Sequence, residues 1–286
     1  MKRELTQEEF NILIGLKENK LAEGIAASSA YKDLLQEGYI KNGELTAKGQ
    51  EALDPYRAKR AIFIAAGIGN RLRPITINTP KPLVRVNGVR IIDTLLDACL
   101  AAGIEELYIV RGYLGEQFDQ LLKKYPMIRF LENDRYHQEN NISSLMCARP
   151  FLQNAYVFEA DLLLRNPRLI QPYHFASNYL GIKKERTDDW CFITKDGVIQ
   201  EWKLGGEDCF QEVGISYWDR ESGEKLSKQI ELTYSASGGK DKFWDHVPLV
   251  DFKEDHHVEV RECCTEDVTE IDTFEELKII DHSYLV

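Results

Sequence analysis

The sequence has few of the features that mark secreted, disulfide-bonded or membrane proteins. Its 6 cysteines are scattered over 286 residues and form no CxxC pair, so neither a zinc knuckle nor a disulfide scaffold is indicated. No apolar run reaches the roughly 18–20 residues that a membrane-spanning helix needs. The N-terminus becomes acidic at Glu4 and lacks the apolar core of a signal peptide. We therefore expect a cytoplasmic protein with reduced thiols and no membrane partner.

Positive charge is also scarce, but it is unevenly distributed. The net charge is 36 − 47 = −11, which argues against a partner held through general nucleic-acid electrostatics. Residues 1–54 contribute 7 − 10 = −3 and residues 93–286 contribute 21 − 37 = −16. Residues 55–92, in contrast, hold 8 basic side chains and no acidic one. The basic window indicates a phosphate-binding segment.

Residues 1–57 form a predicted small α+β domain that resembles the winged-helix family. Thr6 and Glu9 fit a capping box, and Asn42-Gly43 is a hairpin turn signal between two short strands. A winged helix that reads DNA normally carries a basic surface, whereas this segment is acidic. We therefore expect the module to serve in dimerisation or regulation, with a homodimer as one expected assembly.

Residues 58–286 form a predicted α/β domain, because apolar strands alternate with amphipathic helices. The run from Ala61 to Ala66 is typical of a buried parallel strand. Helices are expected at 91–102, 116–124 and 142–149, and further strands at 107–110, 129–131 and 156–160. Within 190–218, a hairpin about Asp196-Gly197 predicts a small antiparallel lid over the mouth of the sheet.

A glycine-rich loop follows the first buried strand. Without a Cβ at these glycines, backbone N–H groups can approach phosphate oxygens. Arg71, Arg73 and Lys81 add positive charge close by, whereas a P-loop motif is absent and Leu72 replaces the third glycine of GxGxxG. The loop residues expected to bind nucleotide are Ala65, Ala66, Gly67, Gly69 and Arg71.

The pattern G-x-G-x-R-x-x-P-x-T…P-K after Ala65-Ala66 resembles the sugar-phosphate nucleotidyltransferases, and most of all the bacterial CTP:phosphocholine cytidylyltransferases. The similar stretches include ENDRYHQENNISSL, FEADLLL, KFWDHV and TEIDTFEEL; Asn70 replaces the Ser or Thr common in the family. The resemblance implies a GT-A or Rossmann-like mixed sheet and Mg²⁺. It also implies a reaction in which CTP and phosphocholine give CDP-choline and pyrophosphate.

The resemblance assigns roles to the charged residues of these motifs. Arg71 would hold the triphosphate and the leaving pyrophosphate, and Lys81 would neutralise charge at the reacting phosphates. Mg²⁺ prefers carboxylate oxygen, and the family's metal positions match Asp161 and Asp272; Glu270 lies on the same side of an extended segment as Asp272. Asp161 could instead cap a helix over 162–164, and residues 272–275 also read as a helix start.

The remaining nucleotide contacts are less specific. Asn141 and Ser144 offer amide and hydroxyl groups at a loop-to-helix junction, suited to a pyrimidine edge or a ribose. A capped helix with Asn in a turn explains the same residues equally well. Tyr113 follows a strand at the same sheet edge and is a further candidate.

The acceptor is the least determined part of the reaction. Aromatic faces hold quaternary ammonium groups, and Trp190, Phe243 and Trp244 with Asp245 match aromatic and acidic positions of the choline enzymes, with Phe243 in place of a Tyr. Tyr217 could contribute, whereas Trp202 and Trp218 are expected in the core. The alternative acceptors are phosphoethanolamine, 2-aminoethylphosphonate and a sugar 1-phosphate. The alternative to an enzyme is a winged-helix regulator that senses a nucleotide and catalyses nothing. Asp188, Asp189 and Asp245 keep an aminoethyl acceptor open, whereas the aromatic pair and the shorter C-terminal region disfavour a sugar 1-phosphate.

Overall fold

The computed structural model describes residues 3–285, and Met1, Lys2 and Val286 lie outside the described residues. The chain separates into two compact units. Unit 1 contains the chain up to Arg57 together with Tyr173–Phe175, and unit 2 contains Ala58–Pro172 and the chain from Ala176 onwards. The three residues 173–175 are an addition to the first unit that no sequence pattern indicated. The winged-helix interpretation of this unit remains a prediction.

Unit 1 contains three short α-helices, two single-turn 3₁₀-helices (Ile25–Ala27 and Asp54–Tyr56) and one hairpin. Its helices are α1 (Gln7–Lys17), α2 (Ser29–Gln36) and α3 (Ala47–Leu53), and its strands are β1 (Ile40–Lys41) and β2 (Glu44–Leu45). The capping box predicted at Thr6 is confirmed, since its side chain accepts the Glu9 N–H and the Glu9 carboxylate accepts the Thr6 N–H. The hairpin turn is also confirmed, with positive φ at Asn42 and Gly43.

The core of unit 1 includes an aromatic cluster. Leu13 and Leu34 are fully buried at its centre. The ring of Phe175 lies 5.6 Å from that of Phe10 and stacks on Tyr56 at 5.7 Å. The 173–175 segment therefore completes an apolar core that residues 3–57 leave open.

Unit 2 is built on a seven-stranded mixed sheet, which confirms the predicted fold class. Its strands, in chain order, are β3 (Arg60–Ala65), β6 (Glu106–Arg111), β7 (Arg129–Glu132), β8 (Ala155–Glu159), β10 (Ser177–Lys195), β11 (Val198–Trp218) and β12 (Val258–Cys263). Two smaller two-stranded ladders are formed by β4 (Arg85–Val86) with β5 (Val89–Arg90), and by β9 (Leu162–Leu164) with β13 (Val268–Glu270). The order across the large sheet is β10-β12-β11-β8-β3-β6-β7, and β8, β3, β6 and β7 run parallel.

Apolar clusters cover both faces of this sheet. Ala61 and Phe63 of β3 belong to one cluster and Ile62 to the other, as the alternation of side chains along a strand requires. The helices of the unit are α4 (Ile91–Ala101), α5 (Ile142–Ala148), α6 (Arg220–Ser235) and α7 (Phe274–Ile280). Parallel strands covered on both faces bring their carboxyl ends to one edge, where ligands bind in open α/β sheets.

Two local predictions need correction. The segment expected as an α-helix over 116–124 is a 3₁₀-helix, Gly115–Lys123, in which Phe118 and Leu121 are buried. These two side chains are three residues apart, which matches one turn of a 3₁₀-helix. The helix that Asp161 could have capped is a strand, β9, so the alternative reading of Asp161 as an N-cap is wrong.

The antiparallel hairpin is longer than the lid predicted from the sequence. The Asp196-Gly197 turn is confirmed, but β10 and β11 extend 19 and 21 residues. Their bases belong to the large sheet, where β11 pairs with β8 and β10 with β12. The outer part folds back, because Cys191 pairs with both Gln211 and Lys203. No helix among residues 3–285 combines the length and apolar character required to cross a bilayer.

Candidate active site

Two adjoining cavities open at the carboxyl ends of the parallel strands. Their volumes are about 310 Å³ and 540 Å³. Their linings share five residues, so they form one cleft: Ile64, Gly67, Arg71, Asp161 and Asp272. The smaller cavity lies at the glycine loop, and the larger one extends along α5 to the β10–β11 hairpin.

One residue of the glycine loop has the left-handed backbone conformation that favours glycine. Gly69 has a φ of +65°, and a Cβ there would lie 3.1 Å from Lys81 and 3.2 Å from Thr76. The Thr76 hydroxyl donates to the Gly69 carbonyl at 2.8 Å. The loop therefore packs directly against the lysine, and Ala65, Gly67, Gly69 and Arg71 all line the smaller cavity.

Lys81 is the centre of a buried ionic network. Its ammonium lies 2.7 Å from Oδ2 of Asp161 and 3.0 Å from Oδ1 of Asp272. Arg71, an exposed side chain, lies 2.6 Å from the same Oδ1 of Asp272. The structure thus brings together four predicted site residues that are far apart in the sequence.

The charges of this network reinforce one another. Burial lowers the pKa of Lys81, but Asp161 and Asp272 outweigh burial and raise it, so the lysine stays protonated. Burial opposes ionisation of Asp272, but Lys81 and Arg71 prevail and lower its pKa. Asp272, beside the glycine loop, is therefore ionised at neutral pH.

A second group of carboxylates lies beside this network. Oxygen atoms of Glu159, Asp161 and Glu270 lie within 4.8 Å of one another. Pairing of β13 with β9 sets Glu270 opposite Leu162, one residue after Asp161. Desolvation within the cleft, then Asp161 and Asp272, raise the pKa of Glu270 to about 8, and burial with Asp161 raises that of Glu159 well above its usual value.

This carboxylate cluster can accept a cation. Oδ1 of Asp161 is buried and has no hydrogen-bond partner within residues 3–285, although a buried carboxylate oxygen normally has one. A hard divalent cation takes such oxygen ligands. Sequence reasoning missed Glu159, which ends β8 two residues before Asp161, while Ala160 and Asp161 form the turn into β9.

The loop before α5 supplies the polar wall of the larger cavity. Asn133 follows β7 and donates from Nδ2 to the hydroxyls of Ser143 and Ser144, both at 3.0 Å. Asn141 also lines the cavity, and its Oδ1 accepts the Trp244 N–H at 2.8 Å. Asn133 was missed from the sequence, although its position directly after a parallel strand was an available signal.

Tyr113 is not among the residues that line either cavity. Its hydroxyl donates to the Thr76 and Ile77 carbonyls at 2.8 Å and 3.2 Å. Its N–H donates to the Ala66 carbonyl at 3.1 Å. Tyr113 therefore stabilises the glycine loop through hydrogen bonds to its backbone. Ala66 itself lines the larger cavity.

An aromatic stack forms the far end of the larger cavity. Trp190 stacks on Trp202 with ring centroids 4.0 Å apart, and Phe243 lies edge-on to Trp190 at 5.9 Å. All three residues line the cavity. The expectation that Trp202 lies in the core is confirmed, since it is 7% exposed and belongs to a buried apolar cluster. Although mostly buried, it reaches the cavity because the folded-back part of the hairpin carries it there.

Two residues proposed for the acceptor pocket lie elsewhere. Trp244 is 3% exposed and packs against Tyr179 and Trp218, and it does not line either cavity. Tyr217 is fully buried, and its hydroxyl accepts from Asn154 at 3.2 Å. Both are packing residues, because their rings are enclosed by other apolar side chains.

Carboxylates surround the aromatic stack. The Trp202 Nε1–H donates to Glu212 at 2.7 Å, and the Tyr179 hydroxyl donates to Asp245 at 2.8 Å. Burial raises the pKa of Asp245 to about 7 and, with the neighbouring Asp245 charge, raises that of Glu212 well above its usual value. In all, the larger cavity is lined by Glu139, Glu159, Asp161, Asp189, Glu212, Asp245, Glu270 and Asp272. Such a wall favours a cationic ligand.

Comparison with known proteins identifies the family to which this chain is similar. Residues 60–178 match the model of the nucleotidyl transferase family. A 2-aminoethylphosphonate cytidylyltransferase of Lancefieldella rimae is 37% identical over 234 residues, which cover 79% of this chain and 93% of the relative. A choline-phosphate cytidylyltransferase of Streptococcus pneumoniae is 34% identical over 225 residues, covering 78% and 96%.

Solved structures give the same result. The CTP:phosphocholine cytidylyltransferase of S. pneumoniae superposes with a TM-score of 0.73 at 33% identity, covering 79% of this chain and 99% of that one. An inositol-1-phosphate CTP transferase of T. maritima shares the fold, with a TM-score of 0.61. The chain belongs to the nucleotidyl transferase family and is a transferase enzyme.

Proposed function

We propose that this protein is a Mg²⁺-dependent cytidylyltransferase that joins CMP from CTP to a small acceptor carrying a cationic amine and a phosphate or phosphonate. The observation that carries the proposal is the acidic wall around the Trp190–Trp202 stack, at the far end of the cleft from the glycine loop. A wall suited to a cation and a loop suited to phosphate, both lining one cleft, fit a short zwitterionic acceptor.

The glycine loop and its cations would hold the nucleotide. Backbone N–H groups of the loop approach phosphate oxygens, and Arg71 and Lys81 neutralise the triphosphate and the leaving pyrophosphate. An acceptor oxygen attacks the α-phosphorus and pyrophosphate leaves in line, so positioning and charge neutralisation provide most of the rate. No covalent nucleophile of the protein is needed.

The carboxylates of the cleft fit a magnesium ion. Asp161 and Asp272 are the proposed ligands, with Glu270 and Glu159 close to Asp161. When bound, the ion would withdraw charge from the phosphates of the nucleotide. Lys81 would hold Asp161 and Asp272 in place before the ion binds, because its ammonium pairs with both.

We propose an aminoethyl acceptor, 2-aminoethylphosphonate or phosphoethanolamine, ahead of phosphocholine. A primary ammonium has three N–H donors for carboxylate acceptors, whereas a trimethylammonium group has none. Asp245 and Glu212 are each oriented by a protein donor. The relative named as a 2-aminoethylphosphonate enzyme supports this choice.

Phosphocholine is the second candidate. The open face of the Trp190–Trp202 stack and the edge of Phe243 can hold a quaternary ammonium, at about 0.5–2 kcal/mol for each cation–π contact. The relatives named as choline-phosphate enzymes support it. The sequence-based expectation of phosphocholine therefore keeps a structural basis.

An acceptor-by-nucleotide panel tests both proposals. Pyrophosphate release is measured with CTP, UTP or dTTP and with each of 2-aminoethylphosphonate, phosphoethanolamine, phosphocholine and glucose 1-phosphate. We expect CTP with the primary amines to give a kcat/KM at least about tenfold above phosphocholine, corresponding to about 1.4 kcal/mol. A preference for phosphocholine would select the second candidate, and a preference for the sugar phosphate would contradict both.

The role of unit 1 is a separate proposal. We propose that it serves in dimerisation or regulation of the enzyme rather than in DNA reading, because residues 1–54 carry 7 basic and 10 acidic side chains. Sedimentation of the full chain should show a dimer. Retention of a specific DNA duplex at physiological salt would contradict this proposal and favour the regulator reading.

A further inference from the structure

Two segments of the cleft wall are joined by a dense set of hydrogen bonds. The nucleotide-side segment is 139–141, and the acceptor-side segment is 240–245. The Asn140 N–H donates to the Lys240 carbonyl at 2.9 Å, and Asn140 Nδ2 donates to the Asp241 carbonyl at 3.0 Å. Hydrogen bonds from the nucleotide-side segment thus hold the backbone of the acceptor-side segment in place.

Glu139 adds further contacts at the junction between segments 139–141 and 240–245. Its carboxylate accepts from the Tyr234 hydroxyl at 2.6 Å and lies 3.0 Å from the Lys240 ammonium. Burial disfavours the charged form, but these two partners outweigh burial and lower the pKa of Glu139. Glu139 is therefore ionised at neutral pH and pairs with the Lys240 ammonium.

Asn141 makes the contact closest to the acceptor pocket. Its side chain lies 2.8 Å from the backbone nitrogen of Trp244, the residue between Phe243 and Asp245. A backbone N–H can only donate, so the amide oxygen of Asn141 must face Trp244. This hydrogen bond fixes the segment that points Phe243 and Asp245 into the cavity.

The other half of the Asn141 amide remains for a ligand. Within the described part of the chain, residues 3–285, its NH₂ group donates to no protein acceptor, although the side chain lines the cavity. The neighbouring wall is formed by Ser144 and by Ala66 of the glycine loop. A carbonyl oxygen, ring nitrogen or hydroxyl of a nucleoside is an acceptor of the required kind.

We propose that Asn141 is a positioning residue that couples the two substrate sites. Its NH₂ donates to the base or ribose of the bound nucleotide, while its Oδ1 holds the Trp244 backbone and thereby the acceptor wall. This inference rests on the proposed function. Nucleotide binding fixes the amide, so that the acceptor binds more tightly to the nucleotide complex than to the free protein, and the coupling is reciprocal.

Three variants of the full chain test the coupling. Asn141→Asp keeps an oxygen for the Trp244 N–H but loses the NH₂ donors, Asn141→Ala loses both, and Tyr234→Phe loosens the same junction without touching Asn141. Titration calorimetry measures dissociation constants of α,β-methylene-CTP with Mg²⁺ and of 2-aminoethylphosphonate, each alone and in the presence of the other. Cytidine serves as a second probe without phosphates, which separates a lost hydrogen bond from charge repulsion. Circular dichroism checks that each variant is folded.

The expected results differ for each variant. In the wild type the nucleotide tightens acceptor binding at least fivefold. Asn141→Asp weakens the CTP analogue and cytidine at least fivefold and abolishes coupling, yet leaves acceptor binding to the free protein within twofold. Asn141→Ala also weakens the acceptor alone, and Tyr234→Phe keeps the coupling. The inference is overturned if Asn141→Asp retains the coupling between nucleotide and acceptor binding. It is also overturned if Tyr234→Phe loses this coupling as Asn141→Ala does.

A readout without acceptor separates this inference from the proposed function. The nucleotide analogue should change the tryptophan fluorescence of the wild type, because Trp244 is held by Asn141, and should change it less in Asn141→Asp. If the wild type binds the nucleotide but none of the aminoalkyl acceptors, the proposed acceptor is wrong while this signal still measures the coupling. If the nucleotide binds and the fluorescence is unchanged, the coupling is wrong while the cytidylyltransferase proposal stands.

Discussion

The ammonium of Lys81 lies 2.7 Å from Oδ2 of Asp161, and the two residues are 80 positions apart in the sequence. The lysine side chain is 9% exposed, and the same ammonium reaches Asp272. In the free protein Lys81 thus provides the positive charge next to both carboxylates. Under the proposed function, Mg²⁺ would compete with the lysine for the same oxygens until the phosphates of the nucleotide attract the lysine.

Replacement of Lys81 by Met should separate these two roles. Turnover should fall by about 100-fold or more, because a charge aimed at the reacting phosphates is lost. The Mg²⁺ dissociation constant without nucleotide should decrease, since Asp161 and Asp272 lose their internal cation. Calorimetric titration with Mg²⁺ and an assay of pyrophosphate release measure the two effects. Lys81→Arg is the control for charge, and weaker Mg²⁺ binding in Lys81→Met would contradict the competition.

Replacement of Asp161 by Asn should reduce turnover by about 100- to 1,000-fold, because an amide cannot supply the negative charge that a magnesium ligand needs. The measurement is steady-state pyrophosphate release over a range of Mg²⁺ concentrations. Glu266→Gln, which removes an exposed carboxylate, is the matched control and should retain wild-type rates. An Asp161→Asn enzyme with normal turnover would remove Asp161 from the catalytic machinery.

Trp190 and Trp244 should respond differently to truncation. Trp190→Ala should raise the acceptor KM by about 2- to 30-fold, the equivalent of 0.5–2 kcal/mol of cation–π attraction, and leave the CTP KM unchanged. Trp244→Ala should instead destabilise the fold by about 3–5 kcal/mol through the cavity it leaves. Trp244→Phe should be milder, because Trp244 Nε1 has no hydrogen-bond partner among residues 3–285. Kinetics and urea unfolding distinguish the two; an unchanged acceptor KM in Trp190→Ala would contradict a role in the pocket.

Acceptor binding should strengthen as the pH rises from 6 to 8. Burial raises the pKa of Asp245 to about 7, so its carboxylate becomes negative within this range and attracts the cationic acceptor. The ordinary pKa of an aspartate is near 3.8, below the value of about 7 in the folded protein. The contribution of neutral Asp245 to the stability of the fold is therefore fully present below pH 3.8 and is lost as the pH rises through about 7. The acceptor should therefore increase the melting temperature more at pH 8 than at pH 6. Asp245→Asn should flatten this dependence, and an unaltered pH profile in that variant would rule out Asp245 as its source.

Deletion of residues 1–57 should cause the remaining protein to self-associate. Tyr173 and Phe175 remain in the shortened chain but lose the rings of Phe10 and Tyr56, so large aromatic side chains face solvent. Light scattering should show association of the truncated chain. Tyr173→Ser with Phe175→Ser in the same truncation should restore a monodisperse sample. A truncated chain that is monodisperse without these substitutions would contradict the prediction.

The parts of the fold that follow from local sequence were predictable. The β3 strand and the Asp196-Gly197 turn depend on apolar runs and turn residues that lie next to each other. The glycine loop and Lys81 were found for the same reason. Glu159 was harder to predict, because the turn at Ala160 and Asp161 interrupts the strand alternation that would relate the two carboxylates.

The acceptor end of the cleft depends on long-range register and could not be predicted. Trp202 reaches the cavity only because the hairpin folds back, so that Cys191 pairs with two different partners. Phe243 and Trp244 are adjacent in an irregular segment, where no periodicity says which ring is buried. The hydrogen bond from Trp244 to Asn141, 103 residues away, decides between them.

The long β10–β11 hairpin would, under the proposed function, make the choice of acceptor a separable trait in evolution. The family match covers residues 60–178, which include the glycine loop, Lys81 and Asp161, whereas Trp190, Trp202 and Glu212 all follow it on the hairpin. Substitutions there would then change which cation is recognised without altering the glycine loop, Lys81 or Asp161. A lineage could thus exchange one amino alcohol derivative for another while keeping the same nucleotide chemistry, and a laboratory graft of the hairpin would follow the same route.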